Sequence, residues 1–392
     1  MTQYIVALVI AAVAFGLGYT FLSVFFLAVD QFRSRRAGLP VTAQPSISVF
    51  KPVKGMDDDL EGNLRSFFEQ RYPEFELIFG TDDFDDPAIA VVQRLREQYP
   101  QVRARLVVDS LRRGANPKVS NLINMYPWAQ YDCLLISDSN VSVGPDYLTH
   151  MVAKLERPEV GLVTSTIRGM HAEAVGAALE NLHLNSFIAG SVAATRRLFG
   201  ITIAIGKSML IRRQTLEQVG GFGAFRNILL EDHVLGLAVE RLGLTVEISA
   251  HSIANVNRGW GLASFVSRHV RWAMMRRYLN LGNYAAEILS HPIMLALLYW
   301  IIDPSVRSLA VLGVAVVAKG LLDAAACHIL RSDLRWWMYL LLPAKDVLIA
   351  VIWLSPFFGN TVTWRGCRYR LAAGTEATIE AGAVVTPDMP TN

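Results

Sequence analysis

The chain has 392 residues, of which 52% are hydrophobic and 18% are charged, and its net charge is only +3. An apolar excess of this size is unusual for a soluble protein, and a nearly neutral chain gives no basis for nucleic-acid binding. Its three cysteines, Cys133, Cys327 and Cys367, form no CxxC pair. This pattern argues against a disulfide framework or a zinc site and is typical of a protein facing the cytosol.

The first element is an apolar segment without charge, from Tyr4 to Val29. It is long enough to cross a bilayer core of roughly 30 Å as a helix. A secretory signal peptide fits less well, because no positive charge precedes the apolar run and the run is longer than the hydrophobic region of a signal peptide. Arg33, Arg35 and Arg36 follow at once. The positive-inside rule therefore predicts a membrane anchor over residues 1–32, with the next domain in the cytoplasm.

Residues 46–250 show the alternation of a soluble α/β domain. Charged stretches of helical period, such as Leu60–Gln70 and Ala88–Gln98, separate short β-rich runs. The predicted strands are Ser46–Val53, Glu76–Thr81, Arg105–Asp109, Cys133–Ser137 and Val160–Thr164. This alternation predicts a mostly parallel sheet with helices on both faces, in which ligands bind beyond the carboxyl ends of the strands.

Residues 260–280 form a basic amphipathic pattern that predicts a helix on the membrane surface. Three apolar segments follow within residues 285–360, at about Ile288–Ile302, Ser308–Ile329 and Trp336–Phe358. The third contains Pro343, Lys345 and Asp346, which are costly in hydrocarbon, so we expect it to be broken or re-entrant.

The basic residues after Trp364 favour the cytoplasm, whereas three C-terminal spans would place them outside, so these two expectations conflict. Residues 375–392 are predicted to be disordered.

Two acidic sites follow predicted strands. Asp83, Asp85 and Asp86 come after the strand that ends at Thr81, and a helix cap explains only part of this cluster. Asp138 follows the strand Cys133–Ser137. It could hold a divalent cation that bridges a diphosphate, although the sequence Asp-Ser-Asn is also typical of a simple turn.

Two further sites lie on predicted helices. Asp232 opens a helical run and could act as a general base, or could merely favour the helix dipole. Arg268 and Arg271 share one helix face and could bind phosphate oxygens, while Trp272 could stack against a sugar. Attraction to lipid headgroups is the alternative for these arginines. His269 is expected to be a surface residue.

The ordered set of these motifs resembles the ceramide glucosyltransferases, a branch of the processive-type inverting glycosyltransferases. The resemblance covers about residues 46–364. Its motifs are Phe50–Gly55, Asp85–Ala88, Asn116–Leu122, Asp138-Ser139, Gly161–Val163, Glu231-Asp232, Arg268-x-x-Arg271-Trp272 and Trp364–Gly366. It implies a GT-A catalytic domain, with a Rossmann-like mixed sheet, between N-terminal and C-terminal transmembrane helices.

The resemblance also implies a role for each site residue. Asp83 and Asp86 match the nucleotide-binding loop, and the resemblance leaves open which aspartate between Asp82 and Asp86, Asp85 included, contacts the base. Asp138 matches the aspartate that holds the metal and the diphosphate. Lys118 matches a lysine near the donor phosphates, Asp232 the catalytic base, and Arg268, Arg271 and Trp272 the motif that closes over the donor. The implied ligands are a UDP-sugar, a divalent cation (Mg²⁺ or Mn²⁺) and a membrane lipid. Many relatives carry a second aspartate at position 140, where this chain has asparagine.

The sequence leaves the acceptor open between two lipids. The stretches Gly114–Met125 and Val143–Leu148 resemble the bacterial hopanoid-associated N-acetylglucosaminyltransferases, whereas Glu231-Asp232 and Arg268 favour a ceramide acceptor and UDP-glucose. We therefore expect a multi-pass protein of the bacterial inner membrane with its catalytic domain in the cytoplasm. A non-catalytic membrane scaffold is the alternative from another class. A transporter or a polysaccharide synthase is disfavoured, because there are few spans and no evident set of paired intramembrane charges.

Overall fold

The computed structural model describes residues 2–36 and 43–384. Its strands are β1 (Ile47–Pro52), β2 (Phe75–Thr81), β3 (Arg103–Val108), β4 (Cys133–Ser137), β5 (Val141–Ser142), β6 (Val160–Met170), β7 (Ser208–Arg212), β8 (Thr245–Val256), β9 (Thr361–Trp364), β10 (Cys367–Leu371) and β11 (Ala377–Val384).

The helices precede, alternate with and follow these strands. They are α1 (Thr2–Arg36), α2 (Leu60–Phe68), α3 (Ala88–Gln98), α4 (Pro117–Met125), α5 (Tyr147–Leu155), α6 (Val175–His183), α7 (Ala189–Phe199), α8 (Arg213–Gln218), α9 (Glu231–Arg241), α10 (Leu262–Leu279), α11 (Leu281–Ala286), α12 (Pro292–Ile302), α13 (Val306–Ile329) and α14 (Leu342–Leu354). A π-helical turn over Leu184–Ile188 joins α6 to α7.

The central sheet has the strand order β3-β2-β1-β4-β7-β6-β8-β5. Strands β3, β2, β1 and β4 are parallel, whereas β7 runs antiparallel to both β4 and β6. The sheet is therefore mixed, as the family resemblance implies and as the strand–helix alternation alone did not predict. The alternation missed β7 because a short apolar run carries no information about the direction in which it pairs.

Both faces of this sheet are covered by helices. Side chains alternate between the faces along a strand, so Val49 packs in one hydrophobic core and Phe50 in the other. The core that contains Val49 includes residues of α2, α3 and α5, and the core that contains Phe50 includes residues of α4, α8 and α9. Helix packing on both faces of the sheet fixes the strand ends that carry the candidate site.

Three helical segments are long and apolar enough to cross a membrane, namely Tyr4–Arg33, Val306–Ile329 and Trp336–Phe358. The first C-terminal apolar segment differs from our prediction, because Leu281–Ser290 and Pro292–Ile302 meet at an angle of 72°. Pro292 lacks an N–H group and begins α12, so the preceding helix does not continue through it. The segment that contains Lys345 is, by contrast, one continuous helical run rather than a broken one.

Strands β9, β10 and β11 form a small antiparallel sheet that contacts the α/β domain. Leu229 N donates to Thr375 O (3.1 Å), Ala377 N donates to Asn227 O (2.8 Å), and the Arg112 guanidinium donates to the Tyr369 hydroxyl (3.1 Å). The prediction of disorder is therefore wrong over residues 375–384, because backbone pairing with the domain and with β10 holds β11 in place. Residues 385–392 lie outside the described residues.

These contacts place the C-terminal sheet and the α/β domain on the same side of any membrane, so an even number of crossings must separate them. Val306–Ile329 and Trp336–Phe358 supply two crossings if the bent pair enters and leaves by one face. In that arrangement a basic C-terminal tail no longer conflicts with the number of C-terminal spans.

Four buried charges pair between α13 and α14, and we call them the charge tetrad: Lys319, Asp323, Lys345 and Asp346. Lys319 Nζ lies 2.7 Å from Asp323 and 3.0 Å from Asp346. Lys345 Nζ lies 3.0 Å from Asp323 and 3.1 Å from Asp346. The expectation of no evident set of paired intramembrane charges is therefore wrong. Lys319 and Asp323 pair within α13, whereas the Lys319–Asp346 and Lys345–Asp323 pairs join two helices and become visible only in the structure.

Candidate active site

The site is built at the carboxyl ends of β1 and β4, which are neighbours in the sheet. Asp138 follows β4 directly, and Lys51 lies in β1. Lys51 is buried, and its ammonium group donates to the backbone carbonyl of Asp138 (2.5 Å) and to Ser137 Oγ (3.3 Å). Burial lowers the pKa of Lys51 well below its ordinary value. Lys51 thus fixes the turn that presents the Asp138 carboxylate.

The Asp138 carboxylate lies between two lysines. Its Oδ1 is 2.9 Å from Lys118 Nζ and its Oδ2 is 3.4 Å from Lys207 Nζ. Burial acts to raise the pKa of Asp138, but Lys118 and then Lys207 outweigh it and hold that pKa well below its usual range. Burial lowers the pKa of Lys207 to about 8. Charge of both signs is therefore concentrated where a diphosphate could bind.

Lys118 connects this group to the start of α9. Its Nζ lies 3.2 Å from Glu231 Oε1 and donates to the carbonyl of Gly206 (3.0 Å). The amide of Asn116, which caps α4, donates to the other Glu231 oxygen (3.1 Å). Burial and then the like charge of Asp232 raise the pKa of Glu231, although Lys118 opposes them.

The Asp232 carboxylate accepts hydrogen bonds from two backbone amides, Gly206 N (2.7 Å) and His233 N (2.8 Å). A Cβ at position 206 would lie 2.7 Å from Asp232 Oδ2, so glycine permits this close approach. Unlike Glu231, which has a lysine partner at 3.2 Å, Asp232 has no ion pair among the described residues. Its carboxylate is held in place by backbone groups without being neutralised.

The acidic loop after β2 contains one buried carboxylate, Asp86, and three exposed ones, of which Asp82 pairs with Lys54 at 2.8 Å. Asp86 is buried and accepts hydrogen bonds from the backbone amides of Gly55 (3.0 Å) and Ala88 (2.9 Å) and from the Thr81 hydroxyl (3.1 Å). It therefore orders the start of α3 and ties this loop to the one after β1. Asp83 and Asp85 remain exposed at the site edge.

The motif on α10 encloses an arginine between two tryptophans. The Arg268 guanidinium lies 5.0 Å from the ring centre of Trp260 and 4.6 Å from that of Trp272, distances typical of cation–π contact. The helix predicted over residues 260–280 is present as α10, Leu262–Leu279. However, Arg268 and His269 are buried inside the protein, so the expectation that His269 is a surface residue is wrong.

Arg271 joins α10 to the C-terminal sheet. Its guanidinium lies 5.3 Å from the ring centre of Trp364 in β9. Burial, and then the nearby charges of Arg268 and Arg365, lower the pKa of Arg271 to about 9. The tryptophan–arginine–glycine motif thus supports the motif on α10, although nearly a hundred residues separate the two.

The buried partner of this motif is Glu180 on α6. Its Oε1 lies 3.2 Å from Arg268 Nη1, and its Oε2 lies 2.7 Å from His269 Nε2. Burial acts to raise the pKa of Glu180, but Arg268 and His269 outweigh it and lower that pKa to about 2. Glu180 therefore carries a negative charge in the protein interior.

Within the described residues, no three His, Cys, Asp or Glu side chains come close enough to form a protein-only metal site. Asp138 offers one carboxylate, and Asn140 Oδ1 is already the acceptor of Lys207 Nζ at 2.6 Å. One carboxylate fits a hard cation such as Mg²⁺ if diphosphate oxygens and water complete its ligands.

Sequence reasoning brought Lys118, Asp138 and Asp232 together, and it also placed Arg268 and Arg271 on one helix. It did not identify three buried charged groups that contact these residues: Lys51, Lys207 and Glu180. At each position the available signal was a single charged residue in an otherwise apolar stretch. Charged residues are seldom buried without a partner, so such a position predicts a buried ion pair.

The mixed sheet, flanked by helices and with its charged site at the strand ends, defines a GT-A glycosyltransferase fold. The mannosyltransferase PcManGT from Pyrobaculum calidifontis, solved with GDP-Man and Mn²⁺, matches 89% of this chain and 99% of its own length, with a TM-score of 0.52 and 17% identity.

Sequence comparison identifies the family. The profile of Glycosyl transferase family 21 matches residues 7–377, so the chain belongs to that family. Ceramide glucosyltransferase 3 of Caenorhabditis elegans is 29% identical over 251 residues, or 64% of this chain and 54% of that protein. The ceramide glucosyltransferase of Komagataella phaffii is 25% identical over 448 aligned positions, covering 88% of this chain and 86% of that protein. The match thus spans about half the length of the C. elegans relative.

Proposed function

We propose that this chain transfers glucose from UDP-glucose to the hydroxyl of ceramide, with inversion at the anomeric carbon. The observation that carries the proposal is the array Lys118–Asp138–Lys207, which lies beside the Glu231-Asp232 pair at the strand ends. Membership of family 21 and similarity to ceramide glucosyltransferases support this assignment.

The donor diphosphate binds at the two lysines beside Asp138. Lys118 and Lys207 supply positive charge to the phosphate oxygens, and exposed Asp83 and Asp85 border the nucleotide. A divalent cation held by Asp138 and the diphosphate would neutralise the charge that develops on the departing nucleotide. These groups lower the barrier by stabilising the UDP leaving group.

The acceptor hydroxyl loses its proton to Asp232. The resulting oxygen attacks the anomeric carbon from the face opposite the diphosphate, and the bond from that carbon to the phosphate oxygen breaks. Two backbone amides orient the Asp232 carboxylate without neutralising it, which suits a general base. Glu231, already paired with Lys118, supports the donor site instead.

The acceptor lipid reaches this site along α10. This helix contacts both the domain helix α6 and the apolar helix α14, so it lies between the soluble site and the candidate spans. A lipid leaves the bilayer only at about 0.8 kcal/mol per exposed CH₂ group, which favours chemistry at the membrane face. Arg33 at the end of the first candidate span supports a cytoplasmic location for that face by the positive-inside rule.

The test is expression in a host that lacks glycolipids, followed by mass spectrometry of the lipid extract after feeding ceramide. We expect hexosylceramide from the wild type and none from Asp232→Asn at equal expression. An N-acetylhexosaminyl hopanoid in a hopanoid-producing host would replace both the donor and the acceptor proposed here. No new lipid in either host, together with no UDP-glucose binding, would favour a non-catalytic scaffold.

A further inference from the structure

Glu180 is a completely buried carboxylate outside the family motifs that the sequence presents. It lies on α6, which contributes apolar residues such as Ala178, Leu179 and Leu182 to the protein interior. An isolated buried carboxylate is costly, and it is retained in an ion pair only where its partners are well placed. Both of its oxygens contact α10, one at Arg268 and the other at His269.

Arg268 has no other anion within salt-bridge distance among the described residues. Its guanidinium also lies against the aromatic rings of Trp260 and Trp272, which carry no charge. Glu180 therefore supplies the negative charge that Arg268 faces, as an ion pair at 3.2 Å. The other Glu180 oxygen is hydrogen-bonded to His269 Nε2 at 2.7 Å, which holds the carboxylate in place.

The charges of Glu180 and Arg268 also interact with a lysine of the donor site, Lys207. Lys207 lies close enough for the positive charge of Arg268 to act on it, and the charge of Lys207 acts in turn on Glu180. Arg268 thus interacts both with Glu180 and with the charges around Lys207. Glu180 itself is fully buried.

We propose that Glu180 is a positioning residue for sugar transfer, which holds the Arg268 guanidinium for the donor diphosphate through its ion pair with Arg268 and its hydrogen bond with His269. The inference rests on the proposed function of the same site. Glu180 acts only through Arg268, so its contribution must vanish when Arg268 is already removed. This requirement separates positioning from a general effect on folding.

The experiment is a double-mutant cycle on the full-length protein with Glu180→Gln and Arg268→Gln. Turnover is measured with ceramide and UDP-glucose and is expressed per UDP-binding site, counted by calorimetry, so that unfolded protein does not lower it. We expect Glu180→Gln to reduce turnover per site about 10- to 100-fold, because the buried Arg268 guanidinium then loses its ion-pair partner. In the Arg268→Gln background the same change should cost less than about threefold.

Two further variants keep the test decisive. Glu180→Asp retains the charge with a shorter reach, and we expect about a three- to tenfold loss; this variant replaces Glu180→Gln in the cycle if that protein does not fold. Asp323→Asn, which removes a buried carboxylate of the charge tetrad, is the matched control. It should lower thermal stability while changing turnover per site by less than about threefold in either background.

Independent, multiplicative losses in the double variant would overturn the positioning role, as would turnover of Glu180→Gln within about threefold of wild type. A wild type that binds UDP but does not glucosylate ceramide overturns the acceptor assignment alone, and the cycle is then measured on UDP-glucose hydrolysis. A wild type that neither binds UDP nor hydrolyses UDP-glucose overturns the proposed function and the role of Glu180 together.

Discussion

Replacing Lys345 by methionine removes one of the two cations in the charge tetrad. The two aspartates then share only Lys319, and the buried group changes from neutral to a net charge of −1. Breaking a buried ion pair by removing one partner typically costs about 3–5 kcal/mol of unfolding free energy, because the remaining charge is left unpaired. Methionine retains most of the lysine volume, so packing contributes little to this loss.

The matched variant removes one charge of each sign. Asp346→Leu alone leaves the tetrad at +1, and we expect a loss of similar size. In Lys345→Met/Asp346→Leu the remaining pair, Lys319 and Asp323, is neutral and 2.7 Å apart. The double variant should therefore be at least about 2 kcal/mol more stable than the sum of the single losses predicts.

The assay is unfolding in detergent micelles with increasing dodecyl sulfate, followed by circular dichroism and tryptophan fluorescence. Arg71→Met provides a surface control, because it removes an exposed ion pair with Asp146, and we expect no measurable change. Strictly additive losses in the double variant would refute the reasoning. Equal stability of Lys345→Met and the wild type would show that the tetrad does not hold α13 and α14 together.

The remaining predictions concern the active site. Asp232→Asn should lower turnover about 10²- to 10⁴-fold while leaving UDP binding within about threefold, since a general base acts on the acceptor rather than the donor. Glu231→Gln, its matched neighbour, should instead weaken UDP binding by releasing Lys118; calorimetry and a radiolabelled-sugar transfer assay measure both. Asp138→Ala should raise the KM for UDP-glucose at least about tenfold and abolish the response to Mg²⁺ or Mn²⁺, and a chelator should inactivate the wild type. Arg271→Lys should reduce turnover about tenfold, because an ammonium group cannot keep the planar contact with Trp364.

Each of these predictions has a contrary result. Undiminished turnover in Asp232→Asn would remove it as the base, and a larger loss in Glu231→Gln would transfer that role to Glu231. Equal wild-type activity in chelator and in Mg²⁺ would mean that Lys118 and Lys207 neutralise the diphosphate charge without a metal ion. Near-normal kinetics of Arg271→Lys would reduce Arg271 to a headgroup contact.

The local pattern of the sequence was sufficient for much of this molecule. Hydropathy identified α1 and α13, because a span needs only a continuous apolar run. The strand–helix alternation predicted the parallel strands from β1 to β4, and the position of Asp138 after β4 placed it at a strand end. Helical period likewise predicted α10. Each of these features depends on residues that are close to one another along the chain.

Tertiary structure alone decided how these elements combine. The antiparallel direction of β7, the packing of the C-terminal sheet against the domain and the pairing within the charge tetrad all join distant segments. Glu180 and His269 are 89 residues apart, and nothing in the sequence near Glu180 indicates that α10 packs against it. Hydrophobic periodicity tells which face of an element is buried, whereas the partner of a buried charge depends on which elements meet there.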